Sequence, residues 1–324
     1  MTDKTTMPTA INCYPMKWTE FLDRFHSEDA CREYLEHLRW PDGFVCPKCG
    51  ETSRFIRVSR DRFICHACRQ QTTVTAGTIF DKTRTELRVW FTAIWQIMSQ
   101  KHGASALGLQ HVLGLGSYET AWTMLHRLRR AMVRPERELL CGTVEVDETY
   151  LAITDRIHSI SATDRKCNTK KVLVAIAVEM LEPKGFGRIR IQQIANGDAE
   201  HLMPFVKKSV EPGSLIHTDG AQYYNNLEVA GFSHKRTVHL GSDIPAHESM
   251  PGVHRVAALL QRWLLGIHHG AVQPKQLDYY LDEFVFRFNR RTSRSRGLLF
   301  YRLLQQAVVT GPVTYDNIIE KTES

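Results

Sequence analysis

The sequence predicts a multidomain α/β protein in which small modules precede a larger domain built on a mixed sheet. Three observations predict it. Four cysteines fall in two C-x-x-C pairs, helical periodicity takes over from about 83 to 135, and short apolar runs alternate with breaks from about 140. A chain of 324 residues is too long for one small core.

Composition narrows the function classes. Hydrophobic content of 43% and charged content of 24% exclude wholesale disorder. A net charge of +7 favours a polyanionic partner, because lysines and arginines that neutralise phosphates release condensed counterions. Arginines gather at Arg127, Arg129, Arg130 and Arg134, and again at Arg287, Arg290, Arg291, Arg294 and Arg296. No apolar run approaches the roughly 18 residues of a membrane span, and "MTDKTTMPTAINCYP" lacks the pattern of a signal peptide. A cytoplasmic, nucleoid-associated protein is expected, with no membrane partner. In that compartment thiols stay reduced and clustered cysteines bind metal.

Residues 1–40 read as an N-terminal helical segment. Cys46 and Cys49 in "CPKCG" and Cys65 and Cys68 in "CHAC" then make a zinc ribbon over 41–82. Each C-x-x-C turns a tight knuckle that aims two thiolates at one ion, and two knuckles complete a tetrahedral Zn2+ site. The stretch between them alternates as a short hairpin does. His66 is expected to point away, and Cys13, Cys31, Cys141 and Cys167 to be plain small residues.

From 83 to 138 a helix-turn-helix region is expected. "TELRVWFTAIWQIMSQ" sets Leu87, Trp90, Phe91, Ile94 and Trp95 on one helical face, and a helix, a glycine-bearing turn and a second helix follow. That second helix carries Tyr118, Thr120, His126, Arg127, Arg129 and Arg130 as candidate DNA contacts.

The domain over 139–292 is expected to hold a ribonuclease H-like mixed sheet. "GTVEVDETYLAI", "KKVLVAIAVEM" and "GRIRIQQI" give three strands, "AEHLMPFVKKSV" a helix, and "SLIHTDG" a fourth strand, which is the opening order of that sheet. Asp147 lies in the first strand and Asp219 ends the fourth; the first and fourth are neighbours in such a sheet. Two facing carboxylates repel unless a cation lies between them. A pair of Mg2+ or Mn2+ ions about 4 Å apart would serve, activating a water or 3′-hydroxyl and stabilising the leaving oxygen of a phosphodiester. Such sites take a third ligand from a helix after the sheet, and His254 heads the amphipathic stretch "MPGVHRVAALLQRW". Glu248 competes for that place from what reads as a loop. Glu145 and Glu148 are expected to point away from the face of Asp147. A C-terminal helix and tail occupy 293–324, and "TYDNIIEKTES" is expected to fray.

Over about residues 18–292 the chain resembles the IS1595 group of transposases with an ISXO2-like catalytic domain. The resemblance rests on "FLDRFHSEDACREYLEHLRWPDGFVCPKCG", "TTVTAGTIFDKTRTELRVWFTAIW", "GASALGLQHVLGLGSYETAWTMLHRLR", "VEVDETYL", "HTDGAQYYNNL" and "LDEFVFRFNRR". It implies a DDE-type enzyme that binds the terminal inverted repeats of an insertion sequence and performs metal-dependent cleavage and strand transfer. The first two catalytic acids then fall on Asp147 and Asp219. The third place, Glu or sometimes Asn in family members, holds His254 here, and a helical Lys of the family is Gln261, beside Arg262. Double-stranded DNA is the implied partner, as inverted-repeat ends and as target, with at least a homodimer when ends are paired. Arg290 and Arg291 are candidate phosphate contacts. No P-loop is present, so ATP dependence is not expected. Two other readings stay open: a domesticated zinc-ribbon regulator with a dead nuclease fold, and a structure-specific nuclease resembling a junction resolvase.

Overall fold

The structure, a computed structural model, describes residues 14–59, 61–134, 137–156, 167–238, 246–269 and 272–319. The chain divides into two compact units, one combining Met1–Arg134 with Thr292–Glu320 and the other formed by Pro135–Arg291.

The first unit opens with α1 (Trp18–Arg24) and α2 (Glu28–Arg39). Ser27 caps α2 by accepting the Ala30 N–H at 3.2 Å, and Glu28 and Asp29 place negative charge at its positive end. An antiparallel sheet of β1 (Phe55–Ser59), β2 (Arg62–Cys65) and β3 (Gln71–Thr73) follows, with β2 in the middle; Cys46 and Cys49 precede β1, while Cys65 ends β2 and Cys68 lies in the turn to β3. Then come α3 (Leu87–Ser99), α4 (Ala106–Leu113) and α5 (Tyr118–Ala131). The five expected apolar residues of α3 are all buried. Helix α4 stops at Gly114, whose left-handed φ of 62° suits a residue without a Cβ, and Ser117 restarts the chain as α5 by capping Thr120. These two helices pack on each other, the arrangement expected of a helix-turn-helix.

The second unit is a five-stranded sheet with helices on both faces. Its elements are β4 (Thr143–Arg156), β5 (Cys167–Met180), β6 (Phe186–Gln193), α6 (Ala199–Ser209), β7 (Leu215–Asp219), β8 (Ser233–Thr237), a one-turn α7 (Ala246–Ser249), α8 (Pro251–His268) and α9 (Leu277–Asn289). The strand order is β6-β5-β4-β7-β8. β4, β5 and β6 are antiparallel, while β7 and β8 run parallel to β4. This is the ribonuclease H-like order expected from the sequence, extended by β8.

Strand alternation sorts the side chains of β4 between two cores. Val144 and Val146 join Leu202, Phe205 and Val206 of α6, whereas Leu151 and Ile153 join Val253, Val256, Leu260 and Leu264 of α8. Glu179, which interrupts the longest apolar run, is buried on β5. It accepts hydrogen bonds from the Cys141 N–H at 3.0 Å and from Arg188, whose Nη2 lies 2.6 Å away, so it is a satisfied structural carboxylate.

After α9 the chain returns to the first unit as α10 (Arg296–Ala307) and α11 (Tyr315–Ile319). Phe300 on α10 is fully buried among Phe21, Phe25, Phe91 and Trp95, at ring separations of 5.5, 5.6, 5.7 and 5.7 Å. The segment expected to fray is ordered over α11, because Ile318 is fully buried there; residues 320–324 lie outside the described residues. Among the described residues no helix is long and apolar enough to cross a membrane.

Candidate active site

In the first unit the Sγ atoms of Cys46, Cys49, Cys65 and Cys68 all lie within 4.8 Å of one another. Cys46 to Cys68 and Cys49 to Cys65 are each 3.6 Å. Four thiolates at about 2.3 Å from one Zn2+ in a tetrahedron stand about 3.8 Å apart, so the set fits zinc. Both knuckles close alike: Gly50 N–H returns to the Cys46 carbonyl and Arg69 N–H to that of Cys65, each at 2.9 Å, with Gly50 and Arg69 in left-handed conformation. His66 is exposed and outside the set. Cys31 is buried, which pushes its thiol up to about 12 and leaves it inert; Cys13 lies outside the described residues.

In the second unit the parallel β4–β7 pair runs in the register Thr143–Leu215, Val144–Ile216 and Glu145–His217. The pairing ends there, and Asp147 and Asp219 each stand two residues beyond its last pair. Asp147 shares strand parity with Leu151 and Ile153, and Asp219 has the parity opposite to Ile216, so both belong to the face covered by α8. One oxygen of each carboxylate is occupied locally. Asp147 Oδ1 accepts the Glu148 N–H at 2.9 Å, and Asp219 Oδ1 accepts the Ala221 N–H at 3.1 Å. Burial first, and then the charges of Glu148, Asp219 and Glu145, push the Asp147 carboxyl up to about 7. Hard oxygen donors under mutual repulsion are what a divalent cation relieves, so these residues fit Mg2+ or Mn2+.

His254 is the fourth residue of α8 and is half-buried, while Val253, Val256, Leu260 and Leu264 beside it are buried as the sequence pattern predicts. The three residues are not gathered into one cluster of ligand atoms within 4.8 Å; among the described residues the four cysteines meet that spacing. Glu248 sits exposed on α7 rather than in a loop.

Of the two glutamates near Asp147, one differs from the sequence expectation. Glu145 lies two residues away, and a strand repeats every two residues, so it shares the face of Asp147. It is 2% exposed, and its Oε2 accepts the N–H groups of Gly252 and Val253 at 2.7 and 3.0 Å. It therefore caps α8, whose first backbone donors have no partner inside the helix. Gly252 leaves room for it: a Cβ there would lie 2.8 Å from that same oxygen. Glu148 does face away. It accepts the phenol of Tyr224 at 2.9 Å and that of Tyr223, and burial together with the Glu148 charge keeps both phenols protonated.

Residues 139–289 match the family model described as the ISXO2-like transposase domain, and residues 26–71 match that of the transposase zinc-ribbon domain. The chain belongs to the IS1595 family of transposases. This insertion-sequence transposase is 25% identical over 278 residues to an uncharacterized protein in transposable element ISH50 of Halobacterium salinarum, covering 82% of this chain and 92% of that one. It is also 25% identical over 116 residues to an uncharacterized transposase-like protein of Haemophilus influenzae, covering 36% of this chain and 93% of that one. Among solved structures it is similar to a Mos1 transposase paired-end complex, at TM-score 0.26 and 12% identity over 68% of this chain and 79% of that one. A pre-cleavage Mos1 transpososome gives TM-score 0.24 and 14% identity, over 69% and 79%. At such scores the fold rests on the strand order itself.

The transposase's candidate DNA contacts separate by burial. Tyr118 and Arg130 on α5 are exposed and Arg127 is half-buried, but His126 and Arg129 are 0% and 1% exposed. Those two are core residues: α4, α10 and α11 all pack on α5, so more of its circumference is covered than a one-sided helix allows. Arg127 lines an open groove of about 310 Å³ with Lys82, Arg84, Thr120, Thr123 and Tyr315. Lys82 and Arg84 come from the basic loop "DKTRT", whose charge is the one sequence signal that marks them. Gln261 and Arg262 are exposed on α8. The Arg290 guanidinium stacks 3.9 Å from the Phe286 ring centroid. Arg291 is committed elsewhere: it donates to the carbonyls of Phe186, Gly187 and Phe288, tying the end of α9 to β6.

Proposed function

We propose that this DDE-type transposase cuts and joins DNA as an Asp-Asp-His variant. Asp147, Asp219 and His254 hold Mg2+ or Mn2+, and the ribbon cysteines hold structural Zn2+. The observation that supports the reading is that Asp147 and Asp219 each lie two residues past the end of the β4–β7 pairing, with strand parity for the face covered by the helix of His254. When bound, divalent cations supply activation of a water or 3′-hydroxyl and charge stabilisation on the leaving oxygen. The two aspartates contribute hard oxygens and negative charge, and their pinned Oδ1 atoms fix each carboxylate plane. The imidazole contributes a neutral nitrogen, which removes one negative charge from the set and shifts preference towards Mn2+.

The zinc ribbon and the α4–α5 pair bind the terminal inverted repeats of double-stranded DNA. Lys82, Arg84, Arg127 and Arg130 lie on or near the exposed side of α5 and neutralise phosphates. Pairing two ends requires at least a dimer during reaction.

The test is incubation of the full chain with labelled DNA flanking the encoding locus, with and without Mn2+ or Mg2+. Metal-dependent nicking at the element ends, lost in Asp147→Ala and Asp219→Ala, supports the reading. Footprints without any cleavage reject it in favour of a DNA-binding regulator.

A further inference from the structure

Asp147 lies between two glutamates, and each reaches the segment that carries another proposed ligand. Glu145 Oε2 holds the first N–H groups of α8, those of Gly252 and Val253, the two residues just before His254. Glu148 holds Tyr223 and Tyr224, in the turn that follows Asp219. Neither contact is surface decoration. Glu145 and Tyr224 are buried, and a Cβ at Gly252 would collide with the Glu145 carboxylate. We infer that Glu145 and Glu148 are the positioning residues of the site, each fixing one distant ligand segment against the strand of Asp147.

The chemistry favours this over simple packing. One carboxylate oxygen shared by two successive N–H groups sets both the height and the rotation of a helix's first turn, where His254 sits. A carboxylate that accepts two phenols through different oxygens likewise fixes the Tyr223–Tyr224 turn, and so the backbone into which Asp219 leads. Strand parity sends the two anchors to opposite faces, so one four-residue stretch, Glu145 to Glu148, grips both sides of the sheet. The inference rests on the metal site proposed above.

The test uses the full chain and two readouts, amide exchange in the metal-free protein and Mn2+ binding followed by paramagnetic resonance. Glu145→Ala is expected to speed exchange at Gly252 and Val253 about tenfold, the equivalent of one lost buried hydrogen bond. It should also weaken Mn2+ binding about tenfold, as loss of a ligand's supporting contact does. Glu145→Gln keeps an acceptor oxygen and recovers most of both. Glu148→Ala, and Tyr223→Phe combined with Tyr224→Phe, speed exchange over residues 220–226 but not 251–256, with a similar loss of Mn2+ affinity. Unchanged Mn2+ affinity in loosened variants overturns the inference, as does a glutamine no better than alanine. Faster exchange throughout β5 overturns it too, because the glutamates would then serve the fold alone. If Mn2+ binding survives Asp147→Ala combined with Asp219→Ala, the metal site itself is rejected and the positioning role falls with it.

Discussion

Asp147 and Asp219 each stand two residues beyond the last pair of the parallel β4–β7 ladder, with the strand parity of one face of the sheet. Burial above all, with the charges of Glu148, Asp219 and Glu145 added to it, raises the Asp147 carboxyl to about 7, so an ionised Asp147 is under strain in the metal-free protein. Asp147→Asn or Asp219→Asn is expected to abolish cleavage while raising the melting temperature without metal by about 2–4 °C, the shift that roughly 1 kcal/mol gives in a domain of this size. Calorimetry in chelator checks it; a lower melting temperature in both variants contradicts the strain.

The pH dependence follows from the same group. An acid whose pKa is raised by folding favours the folded state while protonated. That contribution is complete below the usual aspartate range near 4 and is lost as pH rises through about 7. Metal-free melting temperature is expected to fall between pH 5 and pH 8 by more in the natural chain than in Asp147→Asn. Because the cation must displace that proton, Mn2+ affinity should weaken below pH 7; an affinity flat from pH 5.5 to 8 argues against Asp147 as a ligand.

His254 is half-buried on α8, between buried Val253 and exposed Arg255. His254→Ala is expected to cost at least about 100-fold in strand transfer, the upper range for losing a metal-site contact, whereas His254→Glu retains a measurable fraction. Mn2+ should support faster turnover than Mg2+, since it accepts nitrogen more readily. Full activity of the alanine variant on paired-end DNA would remove His254 from the site.

Arg127 and Arg129 are two residues apart on α5 but differ in exposure. Arg127→Ala is expected to weaken end binding and lower the salt-dependence slope by about 1, the signature of one lost phosphate contact. Arg129→Ala should instead lower the melting temperature, because Arg129 is 1% exposed. Electrophoretic mobility shifts across a salt series, with melting curves, separate the two.

Removal of zinc should act on end recognition. Full chain purified without chelator is expected to carry about one Zn2+ per polypeptide, and Cys49→Ser or Cys68→Ser to lose it together with inverted-repeat binding. Elemental analysis paired with footprinting measures both; a metal-free ribbon that still footprints the ends contradicts the assignment.

The chemistry most visible in the sequence was local. A C-x-x-C knuckle is complete within four residues, and alternating apolar runs reveal strands because burial repeats every second residue. β8 escaped because "SHKRT" is polar and partly exposed, with no apolar face to betray it. The two-residue spacing of Glu145 from Asp147 puts both on one face, whereas its partner, the start of α8, lies more than a hundred residues away and leaves no local signal. Arg129 and His126 could not be recognised as interior, since a buried arginine depends on partners from other helices that periodicity does not report. The adjacency of the strands that carry Asp147 and Asp219 is legible from strand order alone.

The unit with the ISXO2-like domain leaves the first unit after Arg134 and hands the chain back at Thr292, so in sequence it is an insertion within the zinc-ribbon unit rather than a tail appended to it. A stop codon just after Arg291 would spare every candidate catalytic side chain yet remove α10, and with it Phe300 from the aromatic centre built on Phe21, Phe91 and Trp95. Trimming the far end of this polypeptide therefore damages its beginning.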